Sequence, residues 1–209
     1  MALFITFEGI EGSGKSTHLR HLAEHLRASG RRMVETREPG GTPAGAAIRA
    51  VLLGPSATPL TPLAELFLYC ADRTQHVHDV IRPALDGGQI VLCDRFSDST
   101  IAYQGYGRGL DLDAVRALDA RARQGVGPEL TFLLDCPVAE GLARARGRAG
   151  PGDRFEHETI AFHERVRQGF LALAAAEPAR FCVLAAAEPI ELVRARVLAE
   201  AGRRLEARA

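Results

Sequence analysis

The sequence predicts a three-layer α/β fold built on a parallel sheet of about five strands, and three observations carry that prediction. Short apolar runs of strand type (Leu3 to Phe7, Met33 to Thr36, Ile90 to Cys93, Leu130 to Asp135, Phe181 to Leu184) alternate with longer amphipathic stretches. The first of these runs leads through a glycine-rich segment straight into the first amphipathic stretch. No internal repeat or low-complexity linker divides the 209 residues, a length suited to one domain with a full core.

Each element has its own justification. A helix is predicted from Lys15 to Ser29, with Leu19, Leu22, Ala23 and Leu26 on its inner face and Gly30 at the stop position. His18, His21 and His25 recur at helical spacing beside that stripe and read as a solvated face rather than a metal site. A second helix covers Ala44 to Leu53, and a proline-rich link runs from Pro55 to Pro62. The long helix that follows is expected to turn Leu63, Leu66, Phe67 and Cys70 inward and to end near Asp86-Gly87-Gly88. Ser97 to Gln104 reads as a short helix leading into a mobile glycine turn, Gly105 to Gly109. Asp111 stands near the N-cap of a helix to Gln124, and Pro137 opens the next one at a favoured first-turn position. Helices from Thr159 to Glu177 and from Pro189 to about Ala207 complete the chain.

Composition removes several function classes. Lys and Arg total 26 against 26 Asp and Glu, so no global field draws the chain to nucleic acid or a membrane surface. No apolar run approaches ~18 residues and no basic stretch precedes a long apolar one, which predicts a cytoplasmic protein without a membrane span. Cys70, Cys93, Cys136 and Cys182 have no paired spacing and read as small hydrophobes in a reducing compartment.

Chemistry concentrates in Gly9-Ile10-Glu11-Gly12-Ser13-Gly14-Lys15-Ser16. Strand, glycine loop and helix in that order form a phosphate-binding P-loop, in which backbone N–H groups and the helix N-terminus face an anion. All eight residues are assigned to ATP, with Lys15 reaching the β- and γ-phosphates and Ser16 ligating Mg²⁺. Lys15 is the only lysine among the 26 basic residues, where a compact ammonium and not a planar guanidinium must sit among phosphate oxygens. Asp94, directly after the buried Ile90 run, is the second expected holder of Mg²⁺ or its water shell. Arg37 to Thr42 also falls at a strand end, where parallel sheets bind ligands. Arg144, Arg146, Arg148 and Arg154 crowd a segment with glycine and proline at its centre, which suits a lid over a transferring phosphoryl group, at about residues 144–154.

An Asn-Lys-x-Asp guanine signature is impossible without asparagine, and no glycine-rich ABC signature is present. Neutral charge, short length and an arginine lid favour a kinase for a small anionic acceptor. Another nucleoside monophosphate as acceptor, or a nucleotide-binding regulatory module without catalysis, stand as competing readings.

Phe7-Glu8-Gly9, Arg37-Glu38-Pro39-Gly40-Gly41-Thr42, Asp94-Arg95-Phe96 and Ala102-Tyr103-Gln104-Gly105 together resemble the bacterial thymidylate kinases. The resemblance implies the P-loop nucleoside-monophosphate-kinase fold, phosphorylation of dTMP to dTDP with Mg-ATP, and a homodimer. It places Arg73 and Arg95 on the acceptor phosphate, with Arg95 also neutralising the transferring group, and Tyr69 against the thymine ring. Thr100 falls at the pyrimidine edge, Tyr103 beside the sugar 2′ position, and Glu11 on the sugar 3′-hydroxyl and a neighbouring arginine. Glu38, Pro39 and Gln104 lie in the same motifs and are counted with the acceptor site. Glu11, Gly12 and Ser13 supply no basic residue within the loop, so the chain resembles members that carry the catalytic cation in the lid, here Arg146 or Arg148.

Overall fold

A computed structural model describes residues 2–54, 59–147 and 154–207. Five strands, β1 (Leu3–Glu8), β2 (Met33–Arg37), β3 (Ile90–Asp94), β4 (Leu130–Asp135) and β5 (Phe181–Ala185), form one sheet in the order β2-β3-β1-β4-β5. Every pairing is parallel. β1 is therefore central, and the chain fills the β2-β3 side first and the β4-β5 side afterwards. That reversal opens a crevice at the carboxyl ends of β1 and its neighbours. The crevice receives the residues after β1 and after β3. β1 and β4 are buried along almost their whole length, and the rings of Phe7 and Phe132 meet across them, tilted, at 5.2 Å.

Helices α1 (Lys15–Ala28), α2 (Pro43–Leu53), α3 (Pro62–His76) and α4 (Arg82–Asp86) connect the first three strands, with a π-helical turn, Val77–Ile81, joining α3 to α4. After β3 come a short α5 (Ser97–Thr100), a π-helical stretch Ile101–Gly107 and α6 (Leu112–Arg123). α7 (Val138–Arg146) and a 3₁₀ turn (Arg154–His157) precede α8 (Ile160–Ala176), and α9 (Ile190–Glu206) closes the chain. Capping matches the sequence signals: the side chains of Thr42, Thr61, Asp111 and Thr159 each accept from a backbone amide three residues on.

Four expectations need correcting. His18 is buried at 5% exposure, its ring 6.1 Å from that of His21, because it packs beside Gly14 at the helix start; only His25 faces solvent. On α3, Leu66 is inward but Leu63 and Phe67 stand about half exposed at 49% and 52%. The helix is turned so that Glu65, Asp72, Arg73 and His76 are buried instead, which charged groups tolerate only when paired. The Gly105 to Gly109 run is not a mobile turn, since Gly105 and Gly107 are buried in the π-helical stretch. A Cβ on Gly107 would lie 2.8 Å from the Phe162 ring and from Val166, so glycine is what lets α8 approach. Finally, Cys93 and Cys136 are buried as expected, whereas Cys182 is only partly covered on the edge strand.

Among the described residues no helix is long and apolar enough to cross a membrane.

Candidate active site

The loop after β1 wraps the start of α1, with Gly14 in the left-handed conformation at the N-cap. Gly12 has φ 69, and a Cβ there would lie 1.9 Å from the Gly141 carbonyl oxygen. A Cβ on Gly141 would in turn meet the Glu11 carbonyl at 2.6 Å. α7 is thus seated backbone to backbone on the glycine loop, which explains why small residues stand at both positions. Lys15 Nζ donates to the carbonyls of Gly9 at 3.0 Å and Ile10 at 2.8 Å, folded over the loop it would serve. Burial, followed by the charge of Arg95, lowers its pKa to about 8 against the opposing pull of Asp94, Glu11 and Glu8. Ser16 donates its hydroxyl to Asp94 Oδ2, which joins the two residues assigned to the metal.

Arg95 follows Asp94 in the left-handed region at φ 69, a conformation costly for a residue with a side chain and concentrated at functional sites. Its backbone amide donates to the Phe7 carbonyl at 3.0 Å, continuing the ladder past the strand end. Its guanidinium donates to Ser99 Oγ and Glu11 Oε1, both at 3.0 Å, and stands 5.0 Å over the Tyr103 ring. Tyr103 donates its hydroxyl to the same Glu11 oxygen at 2.5 Å. Burial alone would raise the Glu11 carboxyl. His163, Arg95, Lys15 and Tyr103 outweigh it and hold the pKa at about 2, so Glu11 is a carboxylate throughout the physiological range. Glu8, one turn of sheet below, goes the other way: burial and then the nearby Asp98 raise it to about 8, against the lowering by Ser99, Arg95 and the Phe96 amide. Two acids three residues apart are therefore held in opposite protonation tendencies by their surroundings.

Arg73 is 1% exposed and fully occupied. It donates from Nε to Glu38 at 2.9 Å and from Nη1 to Asp119 at 2.7 Å and Thr100 Oγ1 at 2.9 Å. His76 bridges the other Glu38 oxygen at 2.9 Å and Thr36 at 2.6 Å. Two carboxylates neutralise Arg73 more than once over, so its charge is spent inside the protein before any anion arrives.

These parts share one cavity of about 210 Å³. Lys15, Ser16, Asp94 and Arg95 line it together with Tyr69, Thr100, Tyr103 and Gln104, and so do Glu11, Glu38, Pro39 and Arg73. The Glu38–Pro39 peptide bond is cis. All the residues assigned from sequence to acceptor and metal are thus brought to one cleft, whereas the lid arginines divide. Arg144 donates to the Ala186 carbonyl at 2.9 Å, tying α7 to the loop after β5. Arg154 is held by Glu65 and the Leu52 carbonyl, so it anchors the turn it belongs to. Arg146 ends α7 on an exposed face, and Arg148 lies outside the described residues, as does most of the expected 144–154 lid. Sequence reasoning gave no role to Ser99, Asp119 or His163. A single histidine at the spacing of the buried face of α8, between Phe162 and Val166, was the signal available for the last of these.

A glycine loop between the central strand and a helix, a hydroxyl–carboxylate pair across two strand ends and further polar side chains lining the same cleft mark a P-loop kinase of small molecules. The thymidylate kinase family model matches residues 7–197. The thymidylate kinase of Trichlorobacter lovleyi is 53% identical over 199 residues, covering 92% of this chain and 94% of that protein. That of Solidesulfovibrio magneticus is 56% identical over 191 residues, covering 88% and 91%. The crystal structure of thymidylate kinase from Ehrlichia chaffeensis superposes with a TM-score of 0.79 at 37% identity, covering 96% of this chain and 98% of that one. The chain belongs to the thymidylate kinase family.

Proposed function

We propose that this protein transfers the γ-phosphoryl group of ATP to dTMP, giving dTDP for dTTP synthesis. It acts as a single-domain enzyme in the cytoplasm. The observation that carries the reading is the one cavity lined both by the P-loop lysine and by the Tyr69, Thr100 and Gln104 pocket, which brings donor phosphates and acceptor into contact. Phosphoryl transfer needs little else than such positioning and charge stabilisation. Gly9 to Ser16 hold the donor phosphates through backbone amides, and Lys15 leaves the loop carbonyls for the phosphate oxygens. Ser16 and Asp94 present hard oxygen donors already in mutual contact, a set that fits Mg²⁺ completed by water and phosphate oxygens. When bound, Mg²⁺ neutralises charge on those oxygens.

Arg95 and Glu11 serve the acceptor, the first its phosphate and the second its sugar 3′-hydroxyl, with Tyr103 between them. Tyr69 covers the base, and Glu38 and Pro39 wall the pocket. The environment of Arg73 shifts its role from the one read in the sequence. Paired with Glu38 and Asp119 and bonded to Thr100, it suits an uncharged base edge better than a phosphate. Arg146 and Arg148 are assigned to the developing charge of the transition state.

A coupled ADP-release assay with dTMP, dUMP, CMP, UMP, AMP and GMP tests the acceptor, and dTMP should give the highest kcat/KM. Preference for any other acceptor would overturn the specific reading and leave a kinase.

The protein is further assigned as a homodimer. Leu66 is in the chain's own core. Val51, Leu63 and Phe67 on α2 and α3 are the large apolar residues left about half exposed on two helices that pack together. Sedimentation equilibrium should give twice the chain mass, and Phe67→Glu should give one. A monomeric wild type would end this assignment.

A further inference from the structure

Glu11 uses one oxygen on Arg95 and Tyr103, while its other oxygen, Oε2, is buried without an aligned hydrogen bond. What Oε2 faces is Nδ1 of His163, 3.3 Å away and likewise without an aligned partner. His163 is 0% exposed on the inner face of α8, and its Nε2 lies 2.9 Å from the Phe155 carbonyl. Phe155 itself lines the cavity and packs edge-on against Tyr103 at 5.3 Å. A carboxylate oxygen and a carbonyl oxygen only accept, so a ring N–H is what either of them can bond. Its place beside Phe162, with ring centroids 5.5 Å apart, would be filled as well by an apolar ring if packing were all that mattered.

We propose that His163 is a positioning residue for the acceptor: it pins the plane of the Glu11 carboxylate from behind, between the P-loop and the Arg154–His157 turn. A carboxylate offers about four acceptor directions. Arg95 and Tyr103 take the two on Oε1 and His163 stands against Oε2, so both oxygens have a fixed neighbour beside the cavity that Glu11 lines. Without the ring, the carboxylate can turn about its last torsion and follow Arg95, and the edge it offers the acceptor no longer has a fixed aim. The proposal rests on the reading of Glu11 as the partner of the acceptor 3′-hydroxyl.

The test compares dTMP with its 3′-deoxy analogue in the wild type and in H163F, H163N and H163Q. Asparagine places an amide nitrogen where Nδ1 stands and can reach Glu11; glutamine places one where Nε2 stands and can reach only Phe155. The wild type should prefer dTMP in kcat/KM, and H163F should reduce that preference by roughly tenfold, the scale of one hydrogen bond to a charged group. KM for ATP should stay within about twofold, since nothing the P-loop offers the donor has changed. H163N should restore most of the preference and H163Q should not. If H163F fails to fold, the contrast between H163N and H163Q still decides. A preference in H163F equal to the wild type's, or equal rescue by glutamine and asparagine, would overturn the proposal. Failure of the wild type to phosphorylate dTMP, or its indifference to the 3′-hydroxyl, would instead overturn the reading beneath it.

Discussion

Replacing Lys15 with alanine should lower turnover by about a hundredfold or more, the scale of losing one preorganised charge contact in a water-poor site. The ammonium is buried at 7% exposure and held on the Gly9 and Ile10 carbonyls, so no other cation among the described residues occupies its position. Burial, then Arg95, opposes its charge and lowers its pKa to about 8. Phosphate oxygens beside it would favour the charged form. Arginine should not rescue the function. Its planar fork is longer than the ammonium and would meet the loop carbonyls that now cradle Nζ. KM for dTMP should change little in both variants, because Lys15 bonds the Gly9 and Ile10 carbonyls and Ser13 Oγ, all on the donor loop. Steady-state kinetics with both substrates varied reads all three quantities. Turnover within about tenfold of the wild type, well short of that scale, would remove the lysine from the chemistry.

The sequence displayed the fold and the donor side of the site more openly than the acceptor side, for physical reasons. Strands β1, β3 and β4 are buried on both faces and so appear as unbroken apolar runs. The P-loop is local: eight consecutive residues carry its geometry, and their order alone is informative. α3 is the opposite case. Its buried side carries Glu65, Asp72, Arg73 and His76, and each is neutralised or bonded by a partner 27 to 89 residues away in sequence. Periodicity counts apolar residues, so it turned the helix toward Leu63 and Phe67 and took the polar face for the wet one. Tertiary pairing overrode the pattern. The same holds for His163, whose two oxygen partners come from the P-loop and the turn before α8. Gly105 and Gly107 show the reverse error, where a glycine run signalled mobility but serves close packing of α8.

The buried face of α3 also yields the largest expected effect on stability. Arg73→Met should destabilise the fold by about 3–5 kcal/mol, the cost of leaving buried carboxylates without their cation. Methionine fills much of the arginine stem's volume, so the loss is electrostatic and not a cavity. Glu38 and Asp119 are 4% and 1% exposed, and neither can recover water without opening the pocket. His76 already leans on Glu38 at 2.9 Å and offsets part of the loss on that side, whereas Asp119 keeps Ser97 and Arg123. For a chain of this length the midpoint of thermal unfolding should fall by roughly 10 °C. The cycle with Asp119→Asn separates the electrostatic cost from any loss of packing. Once Asp119 is neutral, Arg73→Met should cost at least about 1 kcal/mol less than in the wild type, as contacting charges couple and do not add. If the two substitutions were additive, the Asp119 pair would not be the source of the instability, and Glu38 and the cation–π contact of Arg73 over Phe96 at 5.0 Å would have to carry it. Calorimetric or denaturant unfolding of the four proteins decides between them.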